Sequence, residues 1–169
     1  NISYNQDFNE SATGANFSYG GWLYLYPNQT ANFYPMGKGY AGAQTPYSFW
    51  FAASGNAVKF LIGKGPESSG ACTDWLSQGN IQSTWDANAW QHWFFVKSGK
   101  NIYLYKNGIQ VSSYTMSNDT ICDVASIPFI VGAGPTIGGI HGGVNGSIDE
   151  VVFFNRALNS AEVSALYNA

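Results

Sequence analysis

The chain has 169 residues, enough for one domain with a substantial core; 45% of them are hydrophobic and 17% are aromatic. Charged residues make up only 10%, where about 25% is usual, and seven Lys and Arg against ten Asp and Glu give a net charge of −3. So few and so scattered cations exclude a nucleic-acid-binding surface, and no apolar stretch is long enough to span a membrane.

The N-terminal part of the chain is polar and then becomes strand-like. Residues 1–15 carry isolated aromatic residues in a polar context and form an N-terminal arm or a first strand. Residues 17–26 are rich in aromatic residues and predict a strand that ends at Pro27. Residues 47–52 and 57–62 predict two more strands, and the Ser-Gly-Asn between them is typical of a hairpin turn.

The middle of the chain contains a long segment rich in Gly and Ser, residues 63–84. It is too long for an ordinary connection, which indicates either a functional loop or a short extra strand. Further on, Asn107-Gly108 is a strong signal for a tight hairpin turn. The strands predicted after the long segment are residues 90–96, 102–106, 109–114, 127–131 and 146–154.

One helix is predicted, over residues 160–167. Asn159 is a favourable N-cap residue, and Glu162 three positions later completes a capping box. Leu158 and Val163 occupy the two positions of a hydrophobic staple. The whole pattern predicts an all-β chain, a two-sheet antiparallel β-sandwich with a short C-terminal helix.

Two features favour an extracellular or cell-surface location. Cys72 and Cys122 are the two cysteines, and such a pair in a secreted chain favours a disulfide, with two unrelated thiols as the alternative. The N-glycosylation acceptor Asn-x-Ser/Thr occurs repeatedly, although Asn and Ser are also common in turns. The six acceptor positions are Asn1, Asn9, Asn16, Asn28, Asn118 and Asn145.

The C-terminal segment 146–168, in which Gly-Ser-Ile-Asp-Glu-Val-Val-Phe-Phe leads into the capped helix, resembles the closing motif of laminin-G-like (concanavalin-A-like) jelly-roll domains. Trp-Gln-His at 90–92 with Ile-Tyr-Leu-Tyr-Lys-Asn-Gly at 102–108 is similar to the central hairpin of that family. Residues 17–22 are similar to its first core strand. The resemblance implies two antiparallel sheets packed face to face, in a single domain over residues 16–169.

The resemblance also implies a calcium site. Family members often hold one ion with the Asp of the closing motif and an acidic residue near the start, which correspond here to Asp149 and Asp7. The chain departs from the family at residues 6–9, which are Gln-Asp-Phe-Asn and lack the glycine of the usual opening turn. The alternative for Asp149 is a carboxylate that accepts hydrogen bonds from turn backbone. Calcium is therefore a candidate cofactor with a structural role.

A carbohydrate site needs an aromatic platform and a few polar groups in a concave place. The chain contains six Trp and eleven Tyr, so each single aromatic residue has a core position as its alternative. The candidates that lie near predicted loops are Tyr40, Trp75, Trp85 and Tyr114.

Catalysis has little support in the sequence. Related glucanases carry Glu-x-Asp-x-x-Glu in one strand, and this pattern is absent from the chain. Glu162 is accounted for by the helix cap, and Glu150 is interpreted as structural. His92 alternates with Trp90 and Phe94, which favours a core histidine. No catalytic residue is assigned, and the chain is predicted not to be an enzyme.

The predicted function is an extracellular, non-catalytic recognition or adhesion module that binds carbohydrate or a surface protein. Calcium is its candidate stabilising ion. The alternative is a glycosylated subunit of a self-assembling filament or surface layer. A surface poor in charge and rich in aromatic residues suits subunit contacts, and residues 1–15 can add as a strand to a neighbouring sheet. A carbohydrate-active enzyme is the third hypothesis, after the recognition module and the filament subunit.

Overall fold

The computed structural model describes residues 16–27, 29, 33–38, 47–52, 57–64, 74–76, 81–116, 119, 129–136, 139–141 and 143–169. The elements are β1 Phe17–Leu25, β2 Met36–Lys38, β3 Tyr47–Ala52, β4 Ala57–Lys64, β5 Asp74–Leu76, β6 Gln82–Thr84, β7 Trp90–Ser98, β8 Asn101–Lys106, β9 Ile109–Thr115, β10 Phe129–Val131, β11 Gly134–Thr136, β12 Gly139–His141, β13 Gly146–Phe154 and α1 Ser160–Tyr167. The predicted arm over residues 1–15 and the predicted disulfide between Cys72 and Cys122 lie outside the described residues.

The strands form two main antiparallel sheets. The first has five strands in the order β13-β1-β7-β8-β9, and the second runs β10-β2-β3-β4-β5, with β6 paired to β4 as well. The short strands β11 and β12 pair with each other. The first and last long strands of the chain, β1 and β13, are therefore neighbours. The predicted all-β class and antiparallel sandwich are confirmed.

Most predicted strands are found within two or three residues of their expected ends. The Gly- and Ser-rich segment contains β5 and β6, so short extra strands are present there, as one of the two alternatives predicted. The strands β2, β11 and β12 were not predicted. Each has three residues, which is too short to display the alternation that identifies a strand.

The core lies between the two sheets and is mainly aromatic. Tyr19 on β1 packs edge-on against Phe129 on β10, with ring centroids 5.3 Å apart, and lies 6.0 Å from Phe60 on β4. Phe95 on β7 stacks on Phe60 across the same interface. These contacts join residues distant in sequence, so the alternating apolar residues of both sheets close the sandwich.

The other face of the five-stranded sheet is partly covered by α1. Phe94 and Val96 on β7 and Tyr105 on β8 form a second buried cluster with Leu158 and Val163. The five-stranded sheet is therefore buried on both faces where the helix lies across it. The helix has eight residues, and within the described ranges no helix has the length and apolar character needed to cross a membrane.

The predicted capping box at the start of α1 is confirmed. The Glu162 N–H donates to Asn159 Oδ1 at 3.0 Å, and the Asn159 N–H donates to Glu162 Oε2 at 2.8 Å. Arg156 holds the same carboxylate through its guanidinium, with the closer N–O distance 2.7 Å. Val163, the expected staple residue, is fully buried.

Ser18 attaches the helix segment to the centre of the sheet. Its side chain is fully buried; Oγ donates to the Arg156 carbonyl at 2.9 Å and accepts from the Leu158 N–H at 2.9 Å. These are backbone groups just before the helix, where the chain leaves the ladder of β13. One hydroxyl thus satisfies the buried Leu158 N–H and the partly buried Arg156 carbonyl.

Replacing Ser18 by Ala should lower the free energy of unfolding by about 1–3 kcal/mol, because both backbone groups lose their partner. Urea denaturation of protein produced without glycosylation measures this loss. Ser113→Ala, on the exposed side of β9, is the matched control and should change stability by less than about 0.5 kcal/mol. Equal effects of the two substitutions would contradict the role of Ser18.

Candidate functional site

An open groove lies on the outer face of the five-stranded sheet, where α1 ends. Its volume is about 390 Å³, and it is lined by Trp22, Trp90, Asp149, Glu150 and Ala169. This volume falls within the usual range for small-ligand sites, about 300–1,000 Å³. We call it the Trp22–Trp90 groove.

The aromatic floor of the groove follows from the alternation of β1. Leu23 and Leu25 point into the core, so Trp22 and Tyr24 project from the opposite face. Tyr24 is paired with Trp90 on β7, and their ring centroids are 5.6 Å apart. Trp90 retains 45% of its surface exposed, a large fraction for a tryptophan within a sheet. The two strands therefore present a row of rings to solvent.

The ring of Trp22 is held from behind by two neighbours. His92 lies 5.3 Å away and Tyr167, the last residue of α1, lies 5.5 Å away, measured between ring centroids. Tyr167 in turn packs on the β8–β9 turn, where a side chain on Gly108 would approach it to 3.1 Å. Asn107 and Gly108 both have positive φ, as a tight hairpin turn requires. The helix end and the turn together fix one wall of the groove.

A β-bulge places two carboxylates beside this wall. The register pairs Trp22 with Asp149 but Gly20 with Val152, so β13 has one more residue than β1 in this stretch. Glu150 lies in the bulge with φ of 49°, a left-handed conformation that is unusual for this residue type. Both Asp149 and Glu150 are exposed and line the groove, although neighbours in a regular strand point to opposite faces.

The bulge needs a glycine on the facing strand. A Cβ on Gly21 would lie 2.8 Å from the Asp149 carbonyl oxygen and 3.1 Å from the Val151 Cα. Any larger residue at this position would push the backbone of the bulge away from β1. Gly21 thus contributes to the site through the space that it leaves free.

The two carboxylates retain most of their hydrogen-bonding capacity. Asp149 Oδ1 accepts the Glu150 N–H at 2.8 Å, which is the hydrogen bond to nearby backbone expected as an alternative to a calcium role. In the part of the chain that the structure describes, no three His, Cys, Asp or Glu side chains cluster as a metal site would require. Two carboxylates are only part of the six to eight oxygens that calcium takes. Asp7 lies outside the described residues, so calcium stays a prediction.

Of the four aromatic residues predicted as ligand contacts, Trp85 and Tyr114 have described side chains, and neither lines this groove. Trp85 is 2% exposed and packs in the main core against Phe33, so its predicted role does not fit its position. Tyr114 is half-buried against the same core. Trp75 is placed in β5, but its side chain, like the whole of Tyr40, lies outside the described residues. Trp85 therefore occupies a core position.

Two of the six predicted glycosylation positions are described, and both are exposed. Asn16 precedes β1 and its Oδ1 accepts the Gly99 N–H at 2.6 Å. Asn145 precedes β13, and its carbonyl accepts the Tyr26 N–H at 3.0 Å. The other four, which are Asn1, Asn9, Asn28 and Asn118, lie outside the described residues.

Of the residues that line the groove, the sequence predicted Asp149 as a site residue, in a calcium role, and did not predict the others. Its patterns place Trp22 in a core strand, make Trp90 a strand residue and favour a structural role for Glu150. A signal was present: two adjacent acidic residues interrupt the otherwise apolar strand Gly146–Phe154. Charge inside such a strand indicates either a bulge or an exposed surface, and here both carboxylates are exposed at a bulge.

His92 is buried beneath the groove, as expected, but on the outer face of the sheet rather than between the sheets. Its side chain is 3% exposed and stacks on Phe94 at 5.5 Å, and Nδ1 has no hydrogen-bond partner among the described residues. Burial lowers the pKa of His92 from 6.5 to about 4. The imidazole is therefore neutral near pH 7 and serves as a packed ring behind Trp22.

The unfolded chain binds the His92 proton more tightly than the folded chain, because the folded-state pKa is the lower of the two. Stability should be complete above about pH 6.5 and should fall as pH drops towards about 4, by roughly 2 kcal/mol between about pH 7 and 5 from this residue alone. His92→Phe should remove this loss, measured by urea denaturation at both pH values. His141→Phe is the control. An equal loss of stability between the two pH values in His92→Phe and in His141→Phe would contradict the assignment of this loss to His92.

Residues 4–164 match the family described as the Concanavalin A-like lectin/glucanases superfamily, a laminin-G-type family. No curated protein sequence matches the chain. A Trypanosoma rangeli sialidase mutant displaying trans-sialidase activity has a similar structure, with a TM-score of 0.65 and 16% identity over 91% of this chain and 23% of that one.

The binding domain of botulinum neurotoxin DC, solved with rat synaptotagmin II, is similar with a TM-score of 0.63 and 16% identity over 92% of this chain and 36% of that one. For botulinum neurotoxin type C, whose cell entry depends on interaction with two ganglioside molecules, the TM-score is 0.63 and the identity 15%, over 91% and 35%. At such identities the likeness shows the fold alone. The chain spans about a quarter to a third of these structures. The match over most of its length shows that the chain belongs to the concanavalin A-like lectin/glucanases superfamily.

Proposed function

We propose that this chain is a non-catalytic extracellular recognition module that binds carbohydrate in the Trp22–Trp90 groove. The observation that carries the proposal is the exposed ring of Trp90 beside Tyr24, on a rigid sheet and next to two carboxylates. Sites on strands hold their side chains more precisely than sites on loops. The groove is thus a preformed surface for a small ligand.

The chemistry of the groove suits a sugar ring. A sugar presents an apolar C–H face, which packs on an aromatic ring, and hydroxyl groups around its rim, which donate hydrogen bonds. Trp22, Tyr24 and Trp90 supply the aromatic faces, and Asp149 and Glu150 supply acceptors at the edge. This combination of apolar floor and a few convergent polar groups is the usual composition of a ligand site.

The solved relatives give this proposal indirect support. Botulinum neurotoxin type C interacts with gangliosides, and a Trypanosoma rangeli sialidase has been solved with sialic acid. Those activities belong to proteins about three to four times as long as this chain. They make carbohydrate a reasonable ligand class for the fold, while the groove residues argue for it in this chain.

The extracellular location rests on the six acceptor sequences, of which Asn16 and Asn145 are at exposed positions. The disulfide between Cys72 and Cys122 belongs to the same proposal, and a structural calcium ion at Asp149 and Asp7 is the alternative to a free Asp149 carboxylate in the groove. Expression in a secretory host followed by mass spectrometry would test glycosylation of the acceptor positions and the disulfide. Calorimetric titration after chelation would test calcium. The alternative of filament assembly through residues 1–15 stays a prediction.

Trp90→Ala should weaken binding of an oligosaccharide by at least about tenfold, because truncation of an aromatic anchor commonly costs 1–2 kcal/mol or more. A glycan array identifies the oligosaccharide, and calorimetry of the parent and the variant gives the ratio of dissociation constants. Val131→Ala is the control, since Val131 is 40% exposed on the other sheet.

Two outcomes would overturn the proposal. A blank array with folded protein would remove carbohydrate as the ligand, and equal losses in Trp90→Ala and Val131→Ala would remove the groove as the site. Release of new reducing ends from the bound oligosaccharide would contradict the non-catalytic part of the proposal.

A further inference from the structure

The Trp22–Trp90 groove carries two carboxylates that no cation in the described part of the chain pairs with. Among the described residues, Asp86 is paired with Lys106 at 2.8 Å and Glu162 with Arg156 at 2.7 Å. Asp149 and Glu150 form no ion pair within the described ranges, and the Glu150 N–H is the one donor that reaches either carboxylate there. The charge is thus available to a ligand.

The aromatic walls favour the same sign of ligand charge as the carboxylates do. The face of a tryptophan ring attracts a cation through its quadrupole, most strongly among the aromatic side chains. Trp22 and Trp90 both line the groove in which Asp149 and Glu150 lie. Ring faces and carboxylates therefore both favour a positively charged group and disfavour an anionic one.

The size of the groove suits a small ligand. Its volume of about 390 Å³ lies within the range of small-ligand sites, about 300–1,000 Å³. From Trp90 a row of rings continues beside the groove through the half-buried Tyr24 to the exposed Tyr26, with ring centroids 5.6 Å and 5.5 Å apart. An extended chain of rings with a cationic substituent fits such a surface.

We infer that the groove selects oligosaccharides of amino sugars in their free ammonium form over neutral or anionic oligosaccharides. The inference rests on the proposed carbohydrate-binding function and adds the charge of the ligand to it. Trp22 and Trp90 stack on the sugar rings, and the ammonium group lies between the ring faces and the carboxylates of Asp149 and Glu150. Anionic sugars such as sialic acid are repelled by the same two residues.

The test compares matched oligomers of the same length and linkage by calorimetry at about pH 6, where the amine is protonated. The probes are an oligomer of 2-amino-2-deoxyglucose, its N-acetylated form, a plain glucose oligomer and a sialylated oligosaccharide. The amino-sugar oligomer should bind about tenfold more tightly than its N-acetylated form. This preference should shrink as salt is added, because the carboxylates are exposed.

The double substitution Asp149→Asn with Glu150→Gln should abolish the preference, measured as the ratio of the dissociation constants of the N-acetylated oligomer and the amino-sugar oligomer for the same variant. Asn at position 149 keeps an oxygen acceptor for the Glu150 N–H, so the bulge is preserved. Asp119→Asn is the control, because it removes one negative charge from a residue that does not line the groove. It should keep the full preference.

The outcomes separate this inference from the proposed function. Equal binding of all oligomers, or a preference that survives the double substitution or disappears in Asp119→Asn, overturns the inference while carbohydrate binding stands. Binding that is lost with chelator and restored by calcium also overturns it, because the carboxylates then serve the ion. Failure of every oligomer to bind removes both.

Discussion

The burial of the five-stranded sheet on both of its faces determines the rest of this structure. One face closes against the second sheet through Tyr19, Phe60 and Phe95, and the other closes under α1 through Phe94 and Val163. A single short helix cannot cover a whole sheet face. The uncovered part begins at Tyr167, where the helix ends, and the groove lies there. The site is thus a consequence of where the helix stops.

The same packing explains why the groove is ordered. Trp22 lies between the covered and the open parts of the outer face and contacts His92 and Tyr167 from the covered side. The β8–β9 turn supports Tyr167, and Ser18 attaches the segment before the helix to the sheet. Under the proposed function, a platform held in this way needs little reorganisation, which lowers the entropic cost of binding an oligosaccharide.

The sequence predicted the fold far better than it predicted the site. Alternation in β1 and β7, the Asn107-Gly108 turn and the capping box at Asn159 are local signals, and each was interpreted correctly. The groove depends on the register between β1 and β13, which are separated by most of the chain. No local pattern shows that Glu150 lies in a bulge opposite Gly21 or that Trp90 stands beside Tyr24. Trp85 was missed for the same reason in the opposite direction. Its flanking sequence is typical of a loop, which predicts exposure, yet residues distant in the chain bury it.

The most direct measurement of the central claim is the response of the individual tryptophans to an oligosaccharide. In a ¹H–¹⁵N spectrum each indole N–H gives one signal, and titration follows all of them in one sample. Binding in the groove should shift the signals of Trp22 and Trp90 and leave those of Trp85 and Trp93, which are buried in the core, nearly unchanged. The contrary result is a folded protein that binds the sugar, in which the Trp85 and Trp93 signals shift and the Trp22 and Trp90 signals do not. It would show that the ligand site lies elsewhere.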